Sequence, residues 1–333
     1  MKYVNSYNTV EFYVGDITEP QTIKIYTDSN TSVDIEVIEG NKWYTYALPK
    51  DKGLCMIEGD SVKNVVVKSN ISYEPRFQPP FTYGKIIPSS TIEASFKGSN
   101  TSNVTHMGGM FYGCSGLTSL DLSDWDTSNV TDMNSMFQFC NGLTSLNLRN
   151  FNTSNVTHMN GMFYGCSGLA SLDLSNFDTS NVTDMDSVFN GCRGLTSLDL
   201  RNFNTSNVIY MNGMFYGCSG LASLDLSGLN MSNVTLMNGM FSNCRSLTSL
   251  DLSNFVTSNV TNMDGMFTDC IGLTFLDLSG WVISDATHTD NMFSGCNALK
   301  EIKMVGCTTE TITKIEEALT AAGIKDNVNI KTE

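Results

Sequence analysis

Apolar residues recur along most of this chain in a fixed 26-residue pattern. In the unit from Thr131 to Val156, apolar side chains at i, i+3, i+4 and i+7 precede three leucines spaced L-x-x-L-x-L. The first spacing predicts a short helix with one buried face, and the second predicts a short strand whose leucines point inward. A fixed period of this length indicates one supersecondary unit repeated in tandem, each copy burying its apolar face against its neighbours.

The apolar positions form columns that persist through eight copies. The predicted strand keeps a leucine in seven copies, and Ile302 extends that column. The phenylalanine column is Phe111, Phe137, Phe163, Phe189, Phe215, Phe241, Phe267 and Phe293. The cysteine column is Cys114, Cys140, Cys166, Cys192, Cys218, Cys244, Cys270 and Cys296. Stacking the columns predicts a leucine-rich-repeat solenoid over residues 99–306, with a parallel sheet and one strand and one short helix per repeat.

The ends of the chain follow other patterns. Residues 1–75 hold alternating or β-branched segments at 22–27, 32–40, 42–48 and 61–69, which predict a small antiparallel, sandwich-like β domain. Prolines interrupt residues 76–98, which we interpret as a linker and an incomplete capping repeat. Helical spacing before Gly323 and the segment NVNIK predict a helix and strand that cap the C-terminal end within residues 307–333.

The repeat carries a family resemblance. The unit N-V-T-x-M-x-x-M-F-x-x-C-x-x-L-x-x-L-D-L-S-x-F-x-T-S resembles the 26-residue repeat of BspA-like leucine-rich bacterial surface proteins. The resemblance implies a non-enzymatic protein on a cell surface that adheres to host or neighbouring cells. The start of the chain lacks an apolar signal segment, and neither end carries a lipidation cysteine.

Most of the reactive residue types are explained by the repeat. Because a single column offers only neighbouring copies as partners, we interpret the cysteines as buried free thiols. His106, His158 and His288 share one repeat position two or more copies apart, so we expect no catalytic triad and no metal site. The recurring N-V-T matches a glycosylation acceptor, but a turn asparagine and a capping threonine account for it, and no glycan is inferred.

Charge limits the partners. The formal net charge is −15, and residues 99–333 carry 9 Lys and Arg against 22 Asp and Glu. An acidic surface repels phosphate backbones, so nucleic acid is not expected as a partner. No apolar run is long enough for a membrane span, and no membrane insertion is expected.

An acidic column is the candidate binding surface. One residue between two inward leucines of each predicted strand points out of the sheet: Asp121, Asn147, Asp173, Asp199, Asp225, Asp251 and Asp277. Serines flank it, with Arg149 and Arg201 two positions further on in two copies. Such a row of carboxylates and hydroxyls suits sugar hydroxyls, Ca²⁺ or a basic protein patch. The alternative is a solvated polar ladder that only keeps the sheet soluble.

We therefore predict a non-enzymatic binding or adhesion protein without a cofactor, acting outside a bacterial cell. One setting is a phage virion, in which residues 1–75 dock to other structural proteins and the solenoid meets a host-cell surface protein or glycan. A second is a bacterial cell-surface adhesin exported without a classical signal. A structural scaffold with no ligand is the alternative from a different class.

Overall fold

A computed structural model describes residues 8–28, 31–71 and 85–333, together with the backbone of two short strands between the last two ranges. The predicted boundary at residue 75 lies outside the described residues. The N-terminal strands are β1 (Thr9–Val14), β2 (Gln21–Tyr26), β3 (Ser32–Val37), β4 (Lys42–Ala47), β5 (Met56–Glu58), β6 (Val62–Lys68), β7 (Phe77–Gln78), β8 (Thr82–Tyr83) and β9 (Glu93–Ser95). The later elements are β10 (Ser119–Asp121), β11 (Ser249–Asp251), β12 (Phe275–Asp277), β13 (Glu301–Lys303), α1 (Thr309–Ala321), a 3₁₀ turn at Lys325–Asn327 and β14 (Asn329–Lys331).

The N-terminal region forms the antiparallel sheets that alternation predicts. Strand β2 pairs with β3 and β5 in one sheet, while β1 pairs with β4 and β6 in another. Every second residue of β1 is buried, as Val10, Phe12 and Val14 show. This period-two burial is why the segment folds as strands with one face toward a core.

The N-terminal sheet continues directly into the solenoid. Strand β6 pairs in parallel with β9, and β9 pairs in parallel with β10, the leucine segment of the first repeat. The register aligns Val65 with Ala94 and Ala94 with Leu120. One hydrophobic core runs from Val10 to Val328 through both regions. The N-terminal β region therefore closes the N-terminal end of the solenoid.

The parallel sheet predicted from the leucine column is confirmed at the two ends of the solenoid. Strands β11, β12 and β13 pair in register, which makes Leu250, Leu276 and Ile302 neighbours. In the copies between β10 and β11, the equivalent segments keep their leucines buried or partly buried but belong to no named strand. Isolated parallel bridges at another repeat position connect those copies continuously, from His106 to His288.

The short helix predicted in each repeat is wrong, and a series of tight turns takes its place. In the second copy, the N–H groups of Met136 and Cys140 donate to carbonyls three residues earlier, whereas those of Phe137 and Phe139 donate to carbonyls of the third copy. An α-helix would use these amides within its own segment. The buried face is nevertheless the predicted one, since the methionine, phenylalanine and cysteine columns are buried.

Stacked turns bring identical side chains into contact. Neighbouring rings of the phenylalanine column have centroids 5.6–5.8 Å apart and interplanar angles of 4–9°. Such a continuous stack, surrounded by buried methionine, leucine and cysteine columns, is the apolar interior of the solenoid. Each copy thus depends on its neighbours for burial.

The C-terminal segment folds as a helix followed by a strand that joins the end of the parallel sheet. Thr308 accepts a hydrogen bond from the N–H of Thr311 and so caps the start of α1. Ile315 and Leu319 of the helix are buried, and Gly323 ends the segment at a φ of 73°. Strand β14 then pairs with β13 and completes the sheet. Across the described ranges, no helix combines the length and the apolar character needed to span a bilayer.

Candidate functional site

The acidic column lies where the sequence places it, on the surface of the leucine segments. We define this acidic stripe as the seven predicted positions, and all but the first and the last are exposed. The side chains of Asp173 and Asp199 are 45% and 62% accessible. Asp277 at the C-terminal end is buried. Carboxylates therefore face solvent over most of the length of the solenoid.

Each member of the acidic stripe also holds the turn that follows it. Oδ1 of Asp173 accepts the N–H of Ser175 at 3.1 Å and the hydroxyl of the same serine at 2.7 Å. Asp225 and Asp251 bind Ser227 and Ser253 in the same way. This Asx-turn geometry gives one oxygen of each carboxylate a local structural role. The second oxygen takes no part in the turn.

Basic residues neutralise the acidic stripe only locally. Arg149 reaches the next copy, with its Nε 3.1 Å from Oδ2 of Asp173. Arg201 folds back onto Asp199 of its own copy, where Nη2 and Oδ2 are 2.6 Å apart. The sequence reasoning did not single out Lys303, which occupies the stripe position of the eighth copy and lies 2.9 Å from Oδ2 of Asp277.

Hydrogen bonding keeps these carboxyl groups ionised. The Arg201 side chain lowers the pKa of Asp199 to about 2. Serine hydroxyls lower the pKa of Asp173 and Asp225. Burial alone would raise the pKa of Asp277, but hydrogen bonds from Ser279 and Lys303 outweigh it and leave that pKa below its ordinary value. The acidic stripe is therefore an anionic surface at physiological pH.

The cysteine column is buried and its thiols are free, as the sequence predicts. Each thiol from Cys140 to Cys296 donates to the carbonyl oxygen of the phenylalanine in the preceding copy, at 2.9–3.1 Å. Burial raises the pKa of Cys166 and Cys218 to about 12. A protonated, buried thiol is a poor nucleophile and a poor metal ligand, so the column is structural.

The histidines share a ladder with aspartates, which the sequence reasoning did not consider. Parallel bridges place Asp132 between His106 and His158, with Asp184 on the following copy. The Nδ1 atoms of His106 and His158 lie 2.8 and 2.9 Å from the hydroxyl of the preceding threonine. Within the described ranges, no three His, Cys, Asp or Glu side chains converge closely enough to hold a metal ion.

The asparagine of N-V-T has a structural partner in the described copies. The side-chain amide of Asn181 donates to the carbonyl of Ser154 at 2.7 Å, and that of Asn155 donates to Ser128 at the same distance. The amide nitrogen that a glycan would modify is thus engaged between adjacent copies. Such polar ladders account for much of the repeat consensus.

A groove over the turns of the later repeats is the second surface of note. It extends from Ser187 to Ser294 with a volume of about 660 Å³, and polar side chains form most of its lining. We name it the turn groove. The sequence analysis assigned this segment to a short helix and did not predict the groove. The sequence signal was an asparagine or aspartate followed by a small residue after the first methionine of six copies, as in Asn212-Gly213.

A comparison with protein families shows which family the repeats belong to. One family model, described as "Mycoplasma protein of unknown function, DUF285", matches residues 87–196, 139–224, 195–304 and 220–330. The matches overlap and together cover well over half of the chain. No curated protein matches it. The chain therefore belongs to this repeat family, whose function is unknown.

Proposed function

We propose that this protein is a non-catalytic binding protein whose solenoid adheres to a partner outside a bacterial cell, as in the BspA-like proteins that its repeat resembles. The observation that carries the proposal is the acidic stripe, which keeps ionised carboxylates exposed along the leucine face. An elongated surface with one repeated chemistry suits a partner that contacts many copies at once.

The partner of the acidic stripe is a basic protein surface. Arg149 and Arg201 each engage one stripe carboxylate, while Asp225 and Asp251 have serine partners that leave their charge in place. Charge complementarity of this kind speeds association and weakens as salt rises. Binding through the stripe should therefore fall when the salt concentration is raised.

A scaffold without a ligand is the competing proposal, and one observation favours it. Every exposed stripe aspartate already accepts hydrogen bonds from the residue two positions further on, as Asp173 does from Ser175. The column would then exist to hold turns rather than to bind. A test must change the charge while leaving the turns intact.

Asparagine substitutions meet that requirement. Asn147 occupies the same column and accepts the N–H of Arg149 at 3.2 Å, so an amide keeps the turn. The test variant combines Asp173→Asn, Asp199→Asn and Asp225→Asn. Its matched control removes three exposed aspartates of the N-terminal region, through Asp34→Asn, Asp51→Asn and Asp60→Asn.

Labelled protein is applied to panels of bacterial and animal cells, and retained fluorescence is measured. We expect the stripe variant to lose about tenfold in apparent affinity and the control to lose little. Equal losses would assign the effect to net charge, and full retention by the stripe variant would favour the scaffold. Detection in washed bacterial surface fractions or in purified phage particles distinguishes the two locations.

A further inference from the structure

We propose that the turn groove binds a neutral polysaccharide chain laid along the solenoid axis. This inference goes beyond the proposed function, because the groove residues are separate from the acidic stripe. Five neighbouring copies, from Ser187 to Ser294, contribute to one continuous depression. Elongated polar grooves of this kind suit a linear, hydroxyl-rich ligand.

Four of the five copies offer the groove both a carboxamide or carboxylate and a hydroxyl or amide. Asn212, Asn238, Asp264 and Asp290 form the first row. The second row is Asn190, Tyr216, Ser242, Thr268 and Ser294. Amides and hydroxyls both donate and accept, which is the pairing that sugar hydroxyls require. The same pair of functions thus recurs in four successive copies, and the first copy adds Asn190 alone to the second row.

Some of these groups lack a protein partner. In the described structure, the half-buried side chain of Asn238 makes no hydrogen bond. The Nδ2 of Asn212 donates to Asp186 at 2.8 Å, whereas its Oδ1 is buried and unpaired among the described atoms, as is that of Asn134 at the same repeat position outside the groove. Buried polar atoms are seldom left unpaired without a reason. The exposed stripe aspartates differ, since each already accepts a hydrogen bond from the serine or arginine two positions further on.

The spacing of the copies matches the proposed ligand. Stacked copies recur along the axis at a spacing near the ~4.8 Å between paired strands, so five copies span about 20 Å. One hexopyranose of an extended glycan advances by a similar length. The groove therefore holds roughly one sugar for each copy that it crosses. Tyr216, which is 42% exposed, supplies an aromatic face for one of these sugars.

An aromatic cluster covers the equivalent surface of the earlier copies. Phe139 contacts Tyr112 and Tyr164, with ring centroids 5.7 and 5.0 Å away. A Cβ added to Gly165 would lie 2.5 Å from the Phe139 ring, which therefore covers that position. Glycine stands at the equivalent of Phe139 in the fifth copy, as Gly217, where an added Cβ would meet only backbone atoms of Gly191, at 3.8 and 3.9 Å.

The charge of the groove restricts the class of glycan. Asp264 and Asp290 line its C-terminal half, and the whole chain carries a net charge of −15. These charges repel uronates and other anionic sugars. A neutral chain of hexoses or N-acetylhexosamines meets no such penalty. The ligand class is therefore a neutral polysaccharide rather than an acidic one.

Calorimetry with the full chain tests this proposal. The probes are cellohexaose, mannohexaose and chitohexaose as neutral chains, with hexagalacturonate as the anionic one. We expect at least one neutral chain to bind, little effect of salt, and weaker or absent binding of the anionic chain. Failure of all three neutral chains to bind, or preferred binding of hexagalacturonate, would overturn the proposal.

Two variants locate the site. Tyr216→Ala should weaken binding about tenfold, whereas Tyr210→Ala, which removes a tyrosine of nearly equal exposure outside the groove, should change it little. Gly217→Phe introduces at position 217 the side chain that the second copy carries as Phe139. Phe139 adopts a φ of 61°, so the repeat tolerates phenylalanine at this position, and the new ring should block the groove. Equal effects of the two tyrosine variants would place binding elsewhere. The triple asparagine variant of the acidic stripe should keep glycan binding. The glycan proposal and the proposal that the stripe binds a basic protein can therefore fail independently.

Discussion

The thiol of Cys192 donates a hydrogen bond to the carbonyl oxygen of Phe163, 3.1 Å away in the preceding copy. The same bond links Cys218 to Phe189 at 3.0 Å. These carbonyls lie in the buried interior, where water cannot replace a lost donor. The cysteine column therefore bonds successive copies together and is more than a set of small apolar side chains.

Removing this donor should destabilise the solenoid. We expect Cys192→Ala to lower the free energy of unfolding by about 1–3 kcal/mol, since it leaves a small cavity and removes one of the two hydrogen bonds that the Phe163 carbonyl accepts, the other coming from the N–H of Cys166. Cys192→Ser keeps a donor and should lose less. Urea denaturation followed by circular dichroism measures both. A serine variant that is no more stable than the alanine variant would show that the thiol acts through packing alone.

Thiol reactivity should separate Cys307 from the cysteine column. Burial raises the pKa of Cys166, Cys218 and Cys296 to about 12, so almost no thiolate exists in them at pH 8. Cys307 is only partly buried. In the native protein we expect iodoacetamide to label Cys307 first and the column far more slowly. Intact-mass measurement after a timed reaction counts the labelled cysteines, and urea-denatured protein is the control. Rapid labelling of several column cysteines in native protein would contradict it.

The burial pattern could be predicted from the sequence, but the local backbone could not be predicted by spacing alone. Met133, Met136, Phe137 and Cys140 follow helical spacing and are all buried, as expected. Successive turns satisfy the same spacing, since they also return a side chain to the interior every three or four residues. The evidence against a helix lay in glycine pairs such as Gly161 and Gly165, which adopt φ values of 61° and 72°. Glycine is unfavourable in a helix interior and costs little in these left-handed positions.

The candidate surfaces could be predicted to different extents. The exposed acidic stripe follows from alternation between inward leucines, and the structure places it there. The spacing of Asp173 and Ser175 is itself an Asx-turn signal and could have revealed the structural role of the stripe. The turn groove could not be predicted, because it depends on how Phe139 covers the early copies and on the space left beside Gly217.

The phenylalanine stack should contribute strongly to stability at its centre. Phe215 lies between Phe189 and Phe241, with centroids 5.8 and 5.7 Å away. We expect Phe215→Ala to cost about 3–5 kcal/mol, because the cavity interrupts packing on both sides. Phe293 stacks on Phe267 at one end of the column, so Phe293→Ala should cost less. Thermal and urea unfolding compare the two. A larger loss at Phe293 would mean that the stack is not the main source of cohesion.

Asp186 should oppose folding at neutral pH. Burial raises its pKa, although the N–H and side-chain amide of Asn212 donate to Oδ1 at 2.7 and 2.8 Å. Neighbouring copies carry asparagine at this position, as in Asn160 and Asn212. We therefore expect Asp186→Asn to raise the Tm at pH 7 by about 1–3 °C, because the amide accepts the same bonds without placing a charge at this half-buried position.

The stability difference between the wild type and Asp186→Asn should depend on pH. A carboxyl whose pKa is higher in the folded than in the unfolded state favours folding once it is protonated, so the wild-type chain regains this stability as the pH falls through the raised pKa. Asp186→Asn has no such gain, and its advantage should shrink toward acid pH. Other carboxylates titrate in both proteins and cancel in the difference. Scanning calorimetry of the pair from pH 7 to pH 4 measures it. An advantage that is constant or grows on acidification would mean that the Asp186 carboxylate is stabilised by the bonds from Asn212 more than it is penalised by burial.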